Sequence, residues 1–321
     1  MMDFHKKIIP PKKNQGLRQD GYFIWCGSVI ADEKGCYHMF ASRWSKEKTF
    51  SGWVTVSKIV RAVSDKPEGP FEIVEELDVL NQQDWSAKMT HNPTVTKYKD
   101  KYYLFYIGTT YADHVPDVPF EVKNHPARFN QRIGVAYASS PEGPWTPSAA
   151  NPILKPRKDE WDSTFVSNPS VCIVDDNEVR LVYKAKWHAD DRLILGLAVA
   201  NDPEGPYERQ GPSPLFSHDV EDPFIWKDGD MFWMIAKDMS GKLVGKYNGI
   251  LFQSKDGYDW ELSEHPLAWD HQVVWDDGTV EDIPLVERPQ LLIVDGKPIC
   301  FYTAVGDGIN NTYNLARRLR W

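Results

Sequence analysis

One phrase recurs three times in this chain, as Ala62-Val-Ser-Asp-Lys-Pro-Glu-Gly-Pro-Phe71, Ala136-Tyr-Ala-Ser-Ser-Pro-Glu-Gly-Pro-Trp145 and Ala198-Val-Ala-Asn-Asp-Pro-Glu-Gly-Pro-Tyr207. Self-similarity at such long spacing means repeated supersecondary units, which constrains the fold more tightly than composition does. A second echo keeps step with the first. Asn92-Pro93, Asn168-Pro169, Asp222-Pro223 and Arg288-Pro289 each open a run of alternating apolar residues, then a short polar turn, then a second aromatic-rich run. Period-two alternation on both sides of a polar turn is a hairpin signal. The turns fall at 99–101, 175–177, 228–229 and 295–296, and the stretch from Gly27 to Ala41 fits the same template without the Pro, which makes five units.

Within a unit, the Ala-x-Ala phrase reads as a third strand and Pro-Glu-Gly-Pro as the turn into a fourth, because Pro presets φ and Gly admits φ > 0. The fourth unit carries a variant from Leu251 to Trp260, and the fifth reaches Arg320 with no residues left for a last strand. The stretch Phe4 to Ile9 is therefore expected to supply that strand and close the ring. The fold class is all-β, a five-bladed β-propeller of four-stranded antiparallel blades forming one domain over residues 1–321. The strand-opening prolines are unevenly spaced, so the blades carry insertions of the kind that build a site on one face.

Composition narrows the partners. A formal charge of −9 argues against nucleic acid, and no 18-residue apolar run exists that would span a membrane. The four cysteines, at 26, 36, 172 and 300, lack metal-type spacing and read as buried thiols, with a Cys26–Cys36 bridge as the alternative. The N-terminal residues have no apolar core of a leader, so the chain as written reads as cytoplasmic, or as periplasmic or secreted if a signal peptide was removed. Thirteen Trp are more than packing requires, so some are expected to face a ligand.

In a propeller the starts of the first strands and the ends of the second strands meet at one mouth of the ring, where sites form. The first ring of side chains there contains Trp25, His91, Ser167, Glu221 and Glu287, followed by Cys26, Asn92, Asn168, Asp222 and Arg288. The second contains Arg43, Trp44, Thr109 to Tyr111, Lys184, Lys186, Trp187, His188, Lys237, Asp238 and Asp307. Arg43, Lys184, Lys186, Lys237 and Arg288 are cations held against the net charge, which points to an anionic group on the ligand. Trp44, Trp187 and Tyr111 are candidates for stacking on a sugar face.

These residues carry a resemblance. The turns ending in Glu-Gly-Pro-aromatic, the Asn/Asp-Pro strand openings and the Glu before Asp-Pro in the fourth unit resemble the five-bladed propeller glycosidases of glycoside hydrolase families 43, 32, 62 and 117. The mannoside phosphorylases of family 130 are more distant relatives in architecture. The resemblance implies that Glu221, in Val220-Glu-Asp-Pro223, is the general acid. It also marks two departures. The first-unit Asp-Pro that supplies the base or nucleophile is Cys26-Gly27 here, and the third-unit Asp-Pro is Asn168-Pro169.

Glycoside cleavage ordinarily needs two carboxylates, one protonated and one ionised. Candidates for the partner of Glu221 are Asp162, Glu287 and Asp222, with Asp84 and Asp238 behind them. Family 117 is thought to use a histidine as acid, which brings in His91 and His188. His91, Asn92, Asn168, Arg43, Trp44, Lys186, Trp187, His188, Lys237 and Arg288 are the expected substrate contacts. The reading is an exo-acting hydrolase of a terminal sugar, with an anionic substituent, on an oligosaccharide. The alternatives are a phosphorylase using inorganic phosphate and a non-catalytic sugar-binding propeller. No cofactor is required and no catalytic metal is expected; the fold leaves room for a structural Ca2+ on the propeller axis, for which the sequence has no dedicated ligand motif.

Overall fold

A computed structural model describes residues 2–115, 122, 125–186, 192–211 and 214–321. Blade one holds β1 (Tyr22–Ala31), β2 (Tyr37–Ser45), β3 (Lys58–Ser64) and β4 (Glu72–Glu76). Blade two holds β5 (Met89–Tyr98), β6 (Lys101–Thr109), β7 (Arg132–Ala138) and β8 (Thr146–Pro147). Blade three holds β9 (Phe165–Asp175), β10 (Glu178–Lys186), β11 (Leu193–Ala200) and β12 (Glu208–Arg209). Blade four holds β13 (Val220–Asp228), β14 (Met231–Asp238), β15 (Gly249–Ser254) and β16 (Glu261–Trp269). A small ribbon, β17 (Gln272–Val274) and β18 (Val280–Asp282), leads into blade five, β19 (Leu285–Val294), β20 (Lys297–Gly306) and β21 (Thr312–Arg318). All the pairings are antiparallel and consecutive, and β1, β5, β9, β13 and β19 contact one another in a closed circle.

Both faces of a blade are buried, and alternation assigns each residue to one of them. Phe224 packs into the core between blades four and five, whereas Ile225 packs into the core between blades three and four. Leu291 and Leu292 divide in the same way between the neighbours of blade five. Five apolar clusters, one per blade junction, therefore hold the ring together, driven by removal of apolar surface from water. The repeated turns behave as the sequence implies. Gly69, Gly143 and Gly205 have φ of 82°, 91° and 88°, and the Gly–Pro bonds that follow are cis. The ring N–H of Trp145 and the hydroxyl of Tyr207 donate to the carbonyls of Pro141 and Pro203 at the start of their own turns.

The N-terminal segment closes the ring, in two pieces rather than one strand. Phe4–Lys7 is a helical turn, α1, capped by Asp3, whose carboxylate accepts from Lys6 N–H. Pairing with the end of the chain begins at Lys7, whose carbonyl accepts from Arg320 N–H at 3.0 Å. Ile8 bridges Leu319 and Leu17 bridges Asn314, with Ile9 N–H donating to the Arg318 carbonyl at 2.9 Å. All four cysteines are free thiols. Among the described residues no helix is long and apolar enough to cross a membrane.

Candidate active site

The site is built on a backbone irregularity repeated five times. Each first strand slips register by a β-bulge at the start of the blade, and the bulged residue takes a left-handed conformation. Cys26, Asn92, Asn168, Asp222 and Arg288 have φ of 61°, 50°, 52°, 58° and 53°. Asn and Asp tolerate this region well, whereas Cys and Arg do so at a cost. The next residue is Pro in four blades, where no N–H is left to satisfy. In blade one it is Gly27, at φ 141°, and a Cβ there would stand 2.3 Å from Asn314 Nδ2. That amide donates to the Cys26 carbonyl at 2.6 Å, so the close approach excludes Pro and any side chain.

The bulges turn five side chains toward the axis, where they join. Asn92 donates to Asn168 Oδ1 at 2.7 Å, Asn168 donates to Asp222 Oδ1 at 2.5 Å, and Arg288 reaches Asp222 at 3.4 Å and the Cys26 sulfur at 3.8 Å. Burial pushes the Cys26 thiol up, so it is neutral and offers no base where the resemblance would place a carboxylate.

A cavity of about 220 Å3 opens above this ring. Its apolar wall is Trp25, Trp44, Phe50, Trp53 and Leu285, four of them from blade one. Its polar wall comes from the other blades. Lys184 Nζ lies 3.1 Å from Glu221 Oε2, and Lys237 Nζ lies 2.6 Å from Glu221 Oε1 and 2.9 Å from Glu287 Oε1. Charge thus alternates across three blades, Lys184, Glu221, Lys237, Glu287.

That alternation separates the two glutamates. Burial works against ionisation of Glu221, but the ammonium groups of Lys184 and Lys237 outweigh it and hold the carboxyl well below the usual range. Glu287 has only a share of Lys237. Burial, with the nearby charges of Glu221 and Asp222, pushes its carboxyl up. Burial also lowers Lys184, whereas for Lys237 the facing carboxylates overcome burial and raise it. His91 pairs through Nδ1 with Ser57 Oγ at 2.8 Å and stacks on Trp53 at 5.2 Å. Burial and the charges of Arg288, Lys184 and Arg128 push its imidazole far down, so it is neutral near pH 7.

The cavity gathers many of the residues singled out in the sequence: Glu221, Asp222, Glu287, Arg288, His91, Asn92, Asn168, Lys184, Trp25 and Trp44 all line it. Lys237 lies behind the two glutamates, 2% exposed. Asp162 does not reach it. Its carboxylate is fully buried between Arg157 and Arg209, at 2.9 and 2.5 Å, and accepts from the Tyr183 hydroxyl at 3.0 Å. It is an ion-pair hub inside blade three. Asp162→Asn is therefore expected to lower stability by about 1.5–3 kcal/mol in denaturant unfolding, with turnover unchanged.

Arg43 is likewise engaged elsewhere, by Glu76 and Gln19 over the Tyr22 ring. Lys186, Asp84 and Tyr111 are not among the lining residues, and Asp238 is held by the backbone of Gly241, Leu243 and Val244. Trp187 and His188 lie outside the described residues. Phe50, Trp53, Arg128 and Leu285 line the cavity without having been foreseen. Three of these come from insertions between second and third strands at the mouth, so loop length at that edge was the available signal. The Arg128 guanidinium, on the turn Pro126–Phe129, lies over Trp53 at 5.1 Å and Phe165 at 4.7 Å. It makes no ion pair or side-chain hydrogen bond among the described residues, and the charges of Glu221 and Asp222 act on it at a distance.

Glu221, Asp222 and Glu287 place oxygens within 4.8 Å of one another, as a cation site would. The set suits a divalent ion poorly. Lys237 already bridges two of the carboxylates, Lys184 holds Glu221 and Arg288 holds Asp222, and Arg288 brings a guanidinium to the axis itself.

The architecture and its axial pocket define a five-bladed propeller with paired glutamates at one mouth. No protein-family model matches the sequence, and no curated protein is similar to it in sequence. Solved structures share its fold. A family 117 glycoside hydrolase of the marine bacterium Zobellia galactanivorans superposes with a TM-score of 0.69 at 18% identity, covering 97% of this chain and 88% of that one. The catalytic domain of a family 62 α-L-arabinofuranosidase from Coprinopsis cinerea gives 0.65 at 13% identity, over 97% and 96% of the two chains. A thermostable family 43 glycoside hydrolase gives 0.63 at 16%, over 94% and 90%. The chain thus has the five-bladed fold of these glycoside hydrolases.

Proposed function

We propose that this protein is an exo-acting glycoside hydrolase that takes one terminal sugar, bearing an anionic substituent, into the axial pocket. The observation that carries the reading is the pair Glu221 and Glu287, from adjacent blades, bridged by one buried lysine beside an aromatic wall. The neighbours in fold are described as glycoside hydrolases, which agrees with it. A pocket of about 220 Å3 has room for a single sugar ring, being smaller than the ~300–1,000 Å3 of sites for drug-sized ligands. Asn92 and Arg288 line the pocket, and their Oδ1 and Nε are buried without partners among the described residues.

The electrostatics favour exchanging the roles that the resemblance implies. Glu287, raised, is the proton donor; Glu221, lowered, is the ionised carboxylate. Their nearest oxygens lie within 4.8 Å, close to the ~5–5.5 Å separation of retaining enzymes. Glu287 protonates the glycosidic oxygen as Glu221 attacks the anomeric carbon, breaking the C–O bond and forming a glycosyl ester. Water, deprotonated by Glu287, then displaces Glu221 and releases the sugar with its configuration retained. Phe50, Trp53 and the other aromatics pack on the ring's apolar face.

Arg128 supplies the contact for the anionic substituent, because it lines the cavity and, among the described residues, rests on aromatic rings while Glu221 and Asp222 act on it only at a distance. Arg128→Met is expected to raise KM roughly 10–100-fold for a uronic or sulfated terminal sugar and to leave a neutral aryl glycoside within threefold. An equal effect on both substrates removes the anion assignment. The reaction itself is tested by reducing-end release from acidic and neutral oligosaccharides, with and without inorganic phosphate. Phosphate-independent release is expected. Release that requires phosphate makes the protein a phosphorylase, and binding without release makes it a binding module.

A further inference from the structure

A buried arginine also lies in the third strand of blade five. Arg317, the penultimate residue of β21, is 3% exposed. Its Nη2 donates to Thr303 Oγ1 at 3.0 Å, its guanidinium lies over the Phe301 ring at 4.4 Å, and its Nε has no partner. Asp270 acts on it only at a distance, and burial pushes the guanidinium down to about 10. A buried charge without a counter-charge is costly, and proteins ordinarily pair it.

Arg317 faces a cavity of about 350 Å3 between the N-terminal segment, the end of β16, β17 and the end of β21. Lys6 and Arg320 also line it, and Asp270 is the one acidic residue among the described residues that do. Asp270 is itself engaged, accepting from Gln272 N–H at 3.0 Å. His5 contributes a second buried nitrogen, Nδ1, that has no partner. Lys6 is exposed and paired with Asp3 at 2.9 Å, so two arginines and an imidazole are left facing one cavity on a chain of net charge −9.

We propose that this cavity binds a small oxyanion, with Arg317 Nε and His5 donating from within and Arg320 from the rim. Its walls belong to the N-terminal segment, the β17 ribbon and blades four and five, so the bound anion ties the closing segment to the ring. The assignment does not depend on the chemistry of the axial pocket. Inorganic phosphate, inorganic sulfate and the carboxylate of an acidic sugar share the required chemistry and are told apart by the test.

Thermal unfolding of the full chain is followed at fixed ionic strength in chloride, phosphate, sulfate and glucuronate. At least one oxyanion is expected to raise Tm saturably, by roughly 5 °C at high occupancy. The rise is lost in Arg317→Met and reduced in Arg320→Gln, and persists in Arg128→Met, whose cation belongs to the other pocket. If Arg317→Met fails to fold, Arg320→Gln and His5→Phe carry the comparison. No rise beyond chloride means a water-filled cavity and overturns the proposal. So does a rise that survives the substitutions in this cavity, or one that disappears in Arg128→Met.

Discussion

Glu221→Gln is expected to lower kcat roughly 10^4-fold on every substrate, with affinity for the released sugar nearly unchanged. Glu287→Gln should behave differently. Loss of a proton donor costs roughly 10^2–10^4-fold where the leaving group needs protonation, and far less for an aryl glycoside whose leaving group departs unaided. The contrast between leaving groups identifies the acid. If Glu221→Gln shows the leaving-group dependence and Glu287→Gln does not, the roles revert to those implied by the family resemblance.

The pH profile of kcat/KM follows from the same charges. Glu221 must be ionised, and its lowered pKa puts the acid limb below the usual carboxylate range. Glu287 must be protonated, and its raised pKa extends activity upward until that proton is lost. Lys237 sets both, because its ammonium stabilises each carboxylate form. Lys237→Met is expected to move the acid limb up by about one pH unit or more. An unshifted limb means that Lys237 does not control the pair.

The residues of the axial ring were legible because they answer to a backbone requirement. A bulge followed by Pro or Gly repeats at positions 26, 92, 168, 222 and 288, and a repeat is visible in sequence whatever side chain it carries. The strands were legible as apolar runs bounded by polar turns, because both faces of a blade are buried. Arg128 and Trp53 escaped because they stand on insertions outside the repeat. Asp162 was misplaced because its distance along the chain from Asn168 suggested the mouth, whereas two arginines hold it inside the blade. The difference between Glu221 and Glu287 depends on which carboxylate two lysines from different strands reach, a matter of ångströms that no spacing encodes.

Ring closure offers the larger test of stability. Phe4 is fully buried, meets Phe301 edge-on at 5.3 Å and lies 6.4 Å from Trp226. It anchors in the core between blades four and five, while Ile8 and Ile9 pair with the end of β21. The helical turn explains how both happen: it swings the phenyl ring inward before the chain extends along the blade edge. Phe4→Ala removes the ring from a site that other blades frame, so the cavity collapses little and the cost is expected at about 3–5 kcal/mol. That corresponds to a fall in Tm of roughly 4–7 °C. Ile9→Ala is the control, since Ile9 is 38% exposed and pairs through its backbone; it should stay within about 0.5 kcal/mol. Should the two variants unfold together in denaturant, the N-terminal segment is a surface addition and β21 ends the ring unaided.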